Sequence, residues 1–203
     1  MTKPSIVVFD LGKVLLDFDY GIAARRIAAR AWMKAPDIQK FIDHSPLLFR
    51  FETGRMLREE FFAEIRSATG FAGTIEEFVG FFGDIFNPIE PMVLLHDELR
   101  QAGVPTFIFS NTNELAVSHI RRSFPFFGRF DGYILSYEHG SMKPEDRLYE
   151  VVEAKTGRLG PELLYFDDRT ENVESGSRRG WRAIQHVTPD ASRQAVRQAG
   201  LLN

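Results

Sequence analysis

Short apolar segments alternate with amphipathic helical ones through most of the chain, and this alternation constrains the fold more than any other feature. Segments rich in β-branched and aromatic residues have the composition of buried strands at residues 5–9, 105–109, 131–135, 163–166 and 182–186. Helices are predicted between successive strands, after Asn113, Pro144 and Thr170. Strands separated by helices are typical of a parallel sheet with right-handed crossovers. We therefore expect an α/β fold, a Rossmann-like doubly wound parallel sheet with its reactive residues at the carboxyl ends of the strands.

Residues 18–87 follow a different pattern, because helical periodicity dominates them and no strand is predicted from residue 21 to residue 86. Thr74 and Glu77 have the spacing of a capping box and predict a helix start. Apolar residues fall on one helical face at Leu57, Phe61, Phe62 and Ile65, and again at Phe78, Phe81, Phe82 and Ile85. We expect an all-helical cap domain at residues 18–87, inserted into an α/β core domain made of residues 1–17 and 88–203.

The composition excludes several classes of function. A formal net charge of −3 argues against a nucleic-acid-binding protein, which usually carries a clear basic excess. Because the chain has no cysteine, it has no disulfide, no thiolate metal site and no cysteine nucleophile. No apolar run reaches the roughly 20 residues of a membrane-spanning helix, and the N-terminal stretch has no signal-peptide cleavage site. We expect a cytoplasmic protein with no membrane partner.

Polar residues are clustered where strands should end or helices begin, at residues 10–12, 110–112, 143–144 and 167–168. Taken singly, each cluster has an ordinary explanation as a turn, a helix cap or a solvated side chain. Taken together, they supply a carboxylate nucleophile, hydroxyl and amide donors, a fixed cation and acidic metal ligands. The combination therefore indicates phosphoryl transfer much more strongly than any of its parts.

These clusters lie in four ordered motifs that cover essentially the whole chain: VVFDLGKVLLDFD, FIFSNTNE, SYEHGSMKPE and LLYFDDRTENV. In their order, and in the helical insertion after the first, they resemble the motifs of the haloacid dehalogenase superfamily. Within that superfamily the chain is most similar to the branch of bacterial alpha-glucose-1-phosphate phosphatase, and more distantly to the N-terminal phosphatase domain of soluble epoxide hydrolase. The resemblance implies a hydrolase that acts on phosphate ester bonds.

The resemblance also implies roles for particular residues. Asp10 would attack phosphorus and form an aspartyl-phosphate, which water then hydrolyses. Ser110 and the backbone around Asn111 would bind the phosphoryl oxygens, and Lys143 would neutralise the charge shared by Asp10 and phosphate.

A magnesium ion is the implied cofactor. Mg²⁺ prefers oxygen ligands, and Asp10, Asp168 and the backbone carbonyl of Gly12 would provide them. Asp167 would contribute through water.

One residue departs from the pattern of the superfamily. Most of its phosphatases carry a second aspartate two residues after the nucleophile, as general acid and base, where this chain has Gly12. Such proton transfer is typically worth about 10² to 10⁴ in rate. We therefore expect substrates with good leaving groups, such as anomeric sugar phosphates or acyl phosphates, or the use of Asp17, Asp19 or a cap residue instead.

The substrate is expected to be a small phosphorylated metabolite, for example a sugar phosphate such as glucose 1-phosphate. Cap residues that could contact it or be merely solvated are Arg25, Arg26, Arg50, Glu52 and Arg55. The oligomeric state is left undecided.

Two alternative functions stay open on the sequence. A 2-haloacid dehalogenase also uses an aspartate nucleophile without a second aspartate, but it has no use for metal ligands such as Asp167 and Asp168. A catalytically idle binding protein would keep the fold and use the cap to engage a partner.

Overall fold

A parallel sheet of five strands forms the centre of the structure, a computed structural model that describes residues 3–203 apart from the side chain of His44. The strands of the described residues are Ile6–Phe9 (β1), Leu16–Phe18 (β2), Phe86–Pro88 (β3), Thr106–Ser110 (β4), Gly132–Leu135 (β5), Leu163–Asp167 (β6) and Arg182–Gln185 (β7). The sheet has the order β5-β4-β1-β6-β7 with every pairing parallel. The predicted α/β fold with a doubly wound parallel sheet is confirmed, and each predicted core strand is present within a residue or two.

Helices cover the sheet and build the cap. They are Tyr20–Ala28 (α1), Ala35–His44 (α2), Pro46–Glu52 (α3), Arg58–Thr69 (α4), Ile75–Gly83 (α5), Glu90–Gln101 (α6), Glu114–Ser123 (α7), Ser136–His139 (α8), Asp146–Thr156 (α9), Thr170–Arg178 (α10) and Pro189–Gln198 (α11). Short 3₁₀ helices lie at Pro125–Arg129 and Gly160–Glu162. In the described part of the chain, no helix combines the length and the apolarity that crossing a membrane would take.

Strand β1 is buried on both faces because helices cover the sheet on both sides. Val7 and Phe9 point into one apolar cluster, whereas Ile6 and Val8 point into another on the opposite face. A third cluster lies mainly in the cap and includes phenylalanines from α3, α4 and α5. Because β1 ends at Phe9, the next residue, Asp10, lies at the carboxyl edge of the sheet.

The predicted capping box at the start of α5 is confirmed: Thr74 Oγ1 accepts a hydrogen bond from Glu77 N at 3.3 Å, and Glu77 Oε2 accepts one from Thr74 N at 2.8 Å. The prediction that Leu57 begins the packed apolar face of α4 is wrong. Leu57 precedes α4 as its N-cap and is 67% exposed, while Phe61 and Ile65 are buried as expected.

A two-stranded antiparallel ribbon of β2 and β3 connects the core to the cap, with Leu16 opposite Pro88 and Phe18 opposite Phe86. The prediction that residues 21–86 contain no strand is therefore wrong at Phe86. Strands of three residues are too short for an alternating pattern to identify them. The predicted domain boundaries, after residues 17 and 87, fall inside this ribbon, and residues 1 and 2 of the predicted core segment lie outside the described residues. The division into two domains stays a prediction.

His96 of α6 is fully buried between the sheet and Phe130, whose ring centroid lies 3.8 Å from that of the imidazole. Its Nε2 lies 3.1 Å from Thr106 Oγ1. Burial lowers the pKa of His96 from 6.5 to about 4. An unfolded chain therefore binds a proton more readily than the folded one, so the stability that this group contributes is complete above pH 6.5 and is lost as the pH falls towards 4.

We expect the free energy of unfolding of the wild type to fall by about 2 to 3 kcal/mol more than that of His96→Gln between pH 7 and pH 4.5. Glutamine can keep a hydrogen bond to Thr106 but does not titrate. Urea unfolding at several pH values measures the difference. Parallel pH profiles for the two proteins would contradict the assignment.

Candidate active site

Three neighbouring strands bring polar side chains to one edge of the sheet. Asp10 directly follows β1, Ser110 is the last residue of β4, and Asp167 is the last residue of β6. Since β1 lies between β4 and β6 and all three are parallel, their carboxyl ends meet at the same edge. Lys143, from the loop between α8 and α9, reaches the same place.

Lys143 lies at the centre of this group. Its Nζ is 3.0 Å from Asp10 Oδ1, donates to Asp167 Oδ2 at 2.5 Å, and donates to the backbone oxygen of Phe109 at 2.9 Å. The side chain is only 1% exposed. Burial opposes the charge on Lys143, but the carboxylates of Asp10 and Asp167 outweigh burial and raise its pKa. A permanent cation therefore stands beside the predicted nucleophile.

Asp10 is buried, and its Oδ1 also accepts a hydrogen bond from Leu11 N at 2.7 Å. Burial raises its pKa to about 7, and the nearby charge of Asp167 adds to this, although Lys143 acts in the opposite direction. Ionisation of this buried carboxyl group therefore costs free energy, and a second cation near Lys143 would reduce that cost.

Asp167 is held by four hydrogen bonds. Its Oδ2 accepts from Lys143 Nζ and from the hydroxyl of Tyr165, and its Oδ1 accepts from Arg169 N and Asn172 Nδ2, both at 2.9 Å. Burial alone would raise its pKa, but Lys143 and the other donors lower it. Because its oxygens are already occupied, Asp167 is better placed to orient Lys143 than to bind an ion directly.

Asp168 is the most exposed of the three acids, and burial together with Asp167 raises its pKa. Oxygen atoms of Asp10, Asp167 and Asp168 all lie within 4.8 Å of one another. Three carboxylates share the one ammonium of Lys143, so the cluster carries an excess of negative charge that a divalent cation would neutralise. Hard oxygen donors of this kind fit Mg²⁺.

Gly12 lies on the wall of the cavity, and the space beside it is filled. A Cβ added to Gly12 would lie 2.8 Å from Cε1 of Phe18, closer than such atoms approach in folded proteins. The Phe18 ring is itself packed against Tyr20 and Phe86, at 5.3 and 5.9 Å between centroids. A side chain at position 12 would therefore require the Phe18 ring to shift.

Ser110 and Asn111 are used differently from one another. Ser110 is buried on the cavity wall. The Asn111 side chain is fully engaged, because its Nδ2 donates to the backbone oxygen of Lys143 at 2.9 Å and its Oδ1 accepts from Lys143 N at 2.7 Å. The amide of Asn111 therefore positions the Lys143 loop.

A cavity of about 230 Å³ opens over these residues between core and cap. Its lining also includes Tyr20 and Arg169, which the sequence did not predict as site residues. Glu52, whose role the sequence left open, lines it as well. Five charged residues of the cap were predicted as possible substrate contacts, and all five are among the described residues. Of these five, Glu52 alone lines the cavity. The other four point to partners elsewhere or line other surfaces: Arg25 pairs with Asp19, Arg26 with Asp84, Arg55 donates to Gly140 O, and Arg50 lines a shallow surface groove. No sequence signal distinguished Glu52 from them, because a charged residue of the cap can be solvated as readily as it can contact a substrate.

A family model for haloacid dehalogenase-like hydrolases matches residues 4–180. The chain belongs to this family of hydrolases. It is 25% identical over 190 residues to the D-ribitol-5-phosphate phosphatase of Bacteroides thetaiotaomicron, covering 88% of this chain and 90% of that protein. It is 24% identical over 184 residues to the sesquiterpene phosphatase astK of Aspergillus oryzae, covering 89% and 88%.

The fold is also similar to that of a solved member of the superfamily, the enzyme bt-2542 of Bacteroides thetaiotaomicron in complex with magnesium and inorganic phosphate. The TM-score is 0.81 with 20% identity, and the match covers 91% of this chain and 94% of the other. At that identity the likeness concerns the fold. The resemblance inferred from the four motifs is thus confirmed at the level of the superfamily, and the branch stays a prediction.

Proposed function

We propose that this hydrolase is a Mg²⁺-dependent phosphatase that cleaves a small phosphate monoester through an aspartyl-phosphate on Asp10. The observation that carries the proposal is the buried Lys143 Nζ, 3.0 Å from Asp10 Oδ1, beside a cluster of three carboxylates. A carboxylate nucleophile, a fixed cation and acidic ligands at one sheet edge are the groups that phosphoryl transfer needs. Two relatives that are themselves named as phosphatases support this reaction class.

In the first step an oxygen of Asp10 attacks phosphorus, and the bond from phosphorus to the ester oxygen breaks. The departing oxygen takes up a proton and leaves as an alcohol. In the second step water attacks the same phosphorus, which releases inorganic phosphate and restores the carboxylate of Asp10. Splitting one displacement into two lowers each barrier.

The chain's own groups bind and orient the phosphoryl oxygens. Ser110 Oγ and the backbone of Asn111 lie on the cavity wall beside Asp10 and would donate to these oxygens. Lys143 would hold Asp10 and the phosphoryl group together by neutralising the negative charge between them. Asp167 fixes the Lys143 ammonium in this position.

Asp10, Asp168 and the backbone carbonyl of Gly12 would hold Mg²⁺ directly, with Asp167 acting through water because its oxygens accept four hydrogen bonds. When bound, the ion would supply charge neutralisation that lets a phosphate dianion approach a carboxylate.

The cavity suits a small phosphorylated metabolite. We propose that the substrate is a sugar phosphate or a related polyol phosphate and that the protein acts on it in the cytoplasm. A volume of about 230 Å³ is closed on the cap side by Tyr20, Leu48 and Glu52. The relative from Bacteroides thetaiotaomicron, named for a phosphorylated sugar alcohol, supports this substrate class.

The carboxylate cluster also separates the proposal from the 2-haloacid dehalogenase reaction. A 2-haloacid carries its own carboxylate, which would have to enter a site with three acids and only one buried ammonium. That crowding of like charges disfavours the substrate unless a cation is present. The same charges favour a phosphate ester that arrives with a divalent ion.

Phosphate release from a panel of sugar phosphates, nucleotides and acyl phosphates, measured with Mg²⁺ and with EDTA, tests the proposal. We expect release to depend on Mg²⁺, to stop in EDTA and to return when Mg²⁺ is restored in excess. Halide release from a 2-haloacid in EDTA, without phosphate release from any ester, would support a dehalogenase instead. If the protein catalyses neither reaction on any compound of the panel, the result would support a binding protein without catalytic activity.

A further inference from the structure

The first chemical step leaves a proton to be supplied, and the usual donor position carries no side chain in this protein. An alkoxide is a poor leaving group, so the ester oxygen needs a proton as its bond to phosphorus breaks. Gly12 has no side chain to give one. The ring of Phe18 packs against this position, and an added Cβ would lie 2.8 Å from its Cε1.

The two nearby acids that the sequence offers in place of residue 12 are engaged elsewhere. Asp17 Oδ1 accepts from Lys13 Nζ at 2.5 Å, and its side chain is 63% exposed. Asp19 caps α1 by accepting from Gly21 N at 2.7 Å, and it also pairs with Arg25 at 3.2 Å. Neither belongs to the lining of the cavity over Asp10.

Glu52, the last residue of α3, does line that cavity from the cap side. Within residues 3–203, the carboxyl groups of the lining are those of Asp10, Asp168 and Glu52, and the first two belong to the proposed nucleophile and metal ligands. Burial raises the pKa of Glu52 to about 7, Arg169 opposes this, and the charge of Asp10 adds to it. A carboxyl group with such a pKa can both give and take a proton near neutral pH.

The backbone of Glu52 is attached to the core, which fixes its position relative to Asp10. Its carbonyl oxygen accepts from Ser136 Oγ at 2.6 Å, and the same hydroxyl accepts from Thr112 N at 2.9 Å, beside Ser110 and Asn111. Two residues on, Gly54 has a φ of +65° and passes so close to Tyr137 that an added Cβ would lie 2.1 Å from its backbone oxygen. The end of α3 therefore sits directly on the catalytic edge of the core.

We propose that Glu52 is the general acid and base of this enzyme, supplied by the cap in place of the aspartate that Gly12 replaces. Its carboxyl proton goes to the ester oxygen as that oxygen leaves phosphorus. The resulting carboxylate then takes a proton from the water that attacks the phosphorus on Asp10, which returns both side chains to their starting states. The assignment rests on the proposed phosphatase function.

The test compares wild type, Glu52→Gln and Glu52→Asp on phosphate monoesters whose leaving groups differ in pKa, from an alkyl phosphate to p-nitrophenyl phosphate, all with Mg²⁺. For Glu52→Gln we expect kcat/KM on the alkyl ester to fall by about 10² to 10⁴. The loss on p-nitrophenyl phosphate should be much smaller, because p-nitrophenolate leaves without a proton. Glu52→Asp keeps a carboxyl group and should retain part of the activity on the alkyl ester.

A second readout follows the hydrolysis step. With p-nitrophenyl phosphate, Glu52→Gln should release a rapid burst of about one p-nitrophenolate per active site and then turn over slowly, because the base for the attacking water is missing. Glu64→Gln, the same change at an exposed position of the cap, is the matched control and should behave as wild type.

An equal loss on all leaving groups, or no loss, would overturn the role of Glu52 in proton transfer. These outcomes are distinct from failure of the proposed function itself. If wild type releases no phosphate, or if Asp10→Asn retains the activity, the phosphatase proposal fails. If wild type is active, Asp10→Asn is inactive and Glu52→Gln shows no dependence on the leaving group, only the assignment of Glu52 fails.

Discussion

Asp10→Asn is expected to lose phosphate release by about 10⁴-fold or more, since removal of a covalent nucleophile is among the most costly changes to an enzyme. The amide keeps the shape of the carboxyl group but cannot form the aspartyl-phosphate. Folding should not suffer. The carboxyl of Asp10 has its pKa raised to about 7 by burial and lies beside Asp167, so a neutral group at this position relieves charge repulsion. Steady-state phosphate release and thermal unfolding, measured on the same preparation, check both parts.

Asp17→Asn is the matched control, because it makes the same change at an exposed carboxylate seven residues along the chain and should leave activity unchanged. Trapping of beryllium fluoride with Mg²⁺ adds a test that does not need the natural substrate. Wild type should bind this phosphoryl analogue, and Asp10→Asn should not. Phosphate release that persists in Asp10→Asn would refute the covalent mechanism.

Lys143→Met is expected to have the largest effect on stability. Its ammonium is the cation that contacts both Asp10 and Asp167, and its removal leaves two buried carboxylates without it. Breaking a buried ion pair by removing one partner typically costs about 3 to 5 kcal/mol. Urea unfolding in EDTA measures the free energy of unfolding without a compensating metal. Catalysis should fall as well, by about 10² to 10³, because a donor to the charge of the transition state is lost.

The cost of Lys143→Met should depend on pH in a defined direction. In the wild type, Lys143 lowers the pKa of Asp167 below 3.8, so this pair stabilises the fold above that pH and the stabilisation is lost as the pH falls through the lowered pKa. Without Lys143 the buried carboxyls bind protons more readily in the folded state than in the unfolded chain. The difference between variant and wild type should therefore be larger at pH 7.5 than at pH 5.

Two further variants separate charge from packing. Lys34→Met makes the same change at an exposed position and should leave the free energy of unfolding within about 0.5 kcal/mol of wild type. Lys143→Met combined with Asp167→Asn removes one of the stranded charges and should recover part of the loss. A cost below about 1 kcal/mol for Lys143→Met, at both pH values, would contradict the role of Lys143 as the counter-charge of a buried site.

Much of the fold was predictable because its signals are local. Buried strands of four or five residues, each followed by a polar residue and a helix cap, are recognisable from composition alone. Their order in the sheet was not predicted and comes from the structure. The ribbon of β2 and β3 was not predicted because three residues are too few to show the alternating pattern of a strand. Its two strands also come from opposite ends of the cap segment and pair only in the folded protein. The exposure of Leu57 was missed because an N-cap position looks like helix when only spacing is considered.

The sequence predicted which residues come together in the candidate site, but it did not predict the separate role of each residue. Asp10, Ser110, Lys143, Asp167 and Asp168 meet at one sheet edge, as the motifs indicated. The same motifs left open which acid is free to bind a metal. The four hydrogen bonds to Asp167 come partly from Tyr165 and Asn172, whose part in the site no sequence pattern indicates.

By itself, the sequence determined the class of fold, the residue that could act as nucleophile, and the absence of a side chain at Gly12, since each of these depends on neighbours along the chain. Only the tertiary structure decided that the Phe18 ring packs beside Gly12, that Asn111 holds the Lys143 loop, and that Glu52 lines the cavity over Asp10. These contacts join positions that are distant along the chain or on different elements; Ser136 and Glu52, for example, are 84 residues apart. No local pattern can encode them, because they exist only once separate elements have packed together.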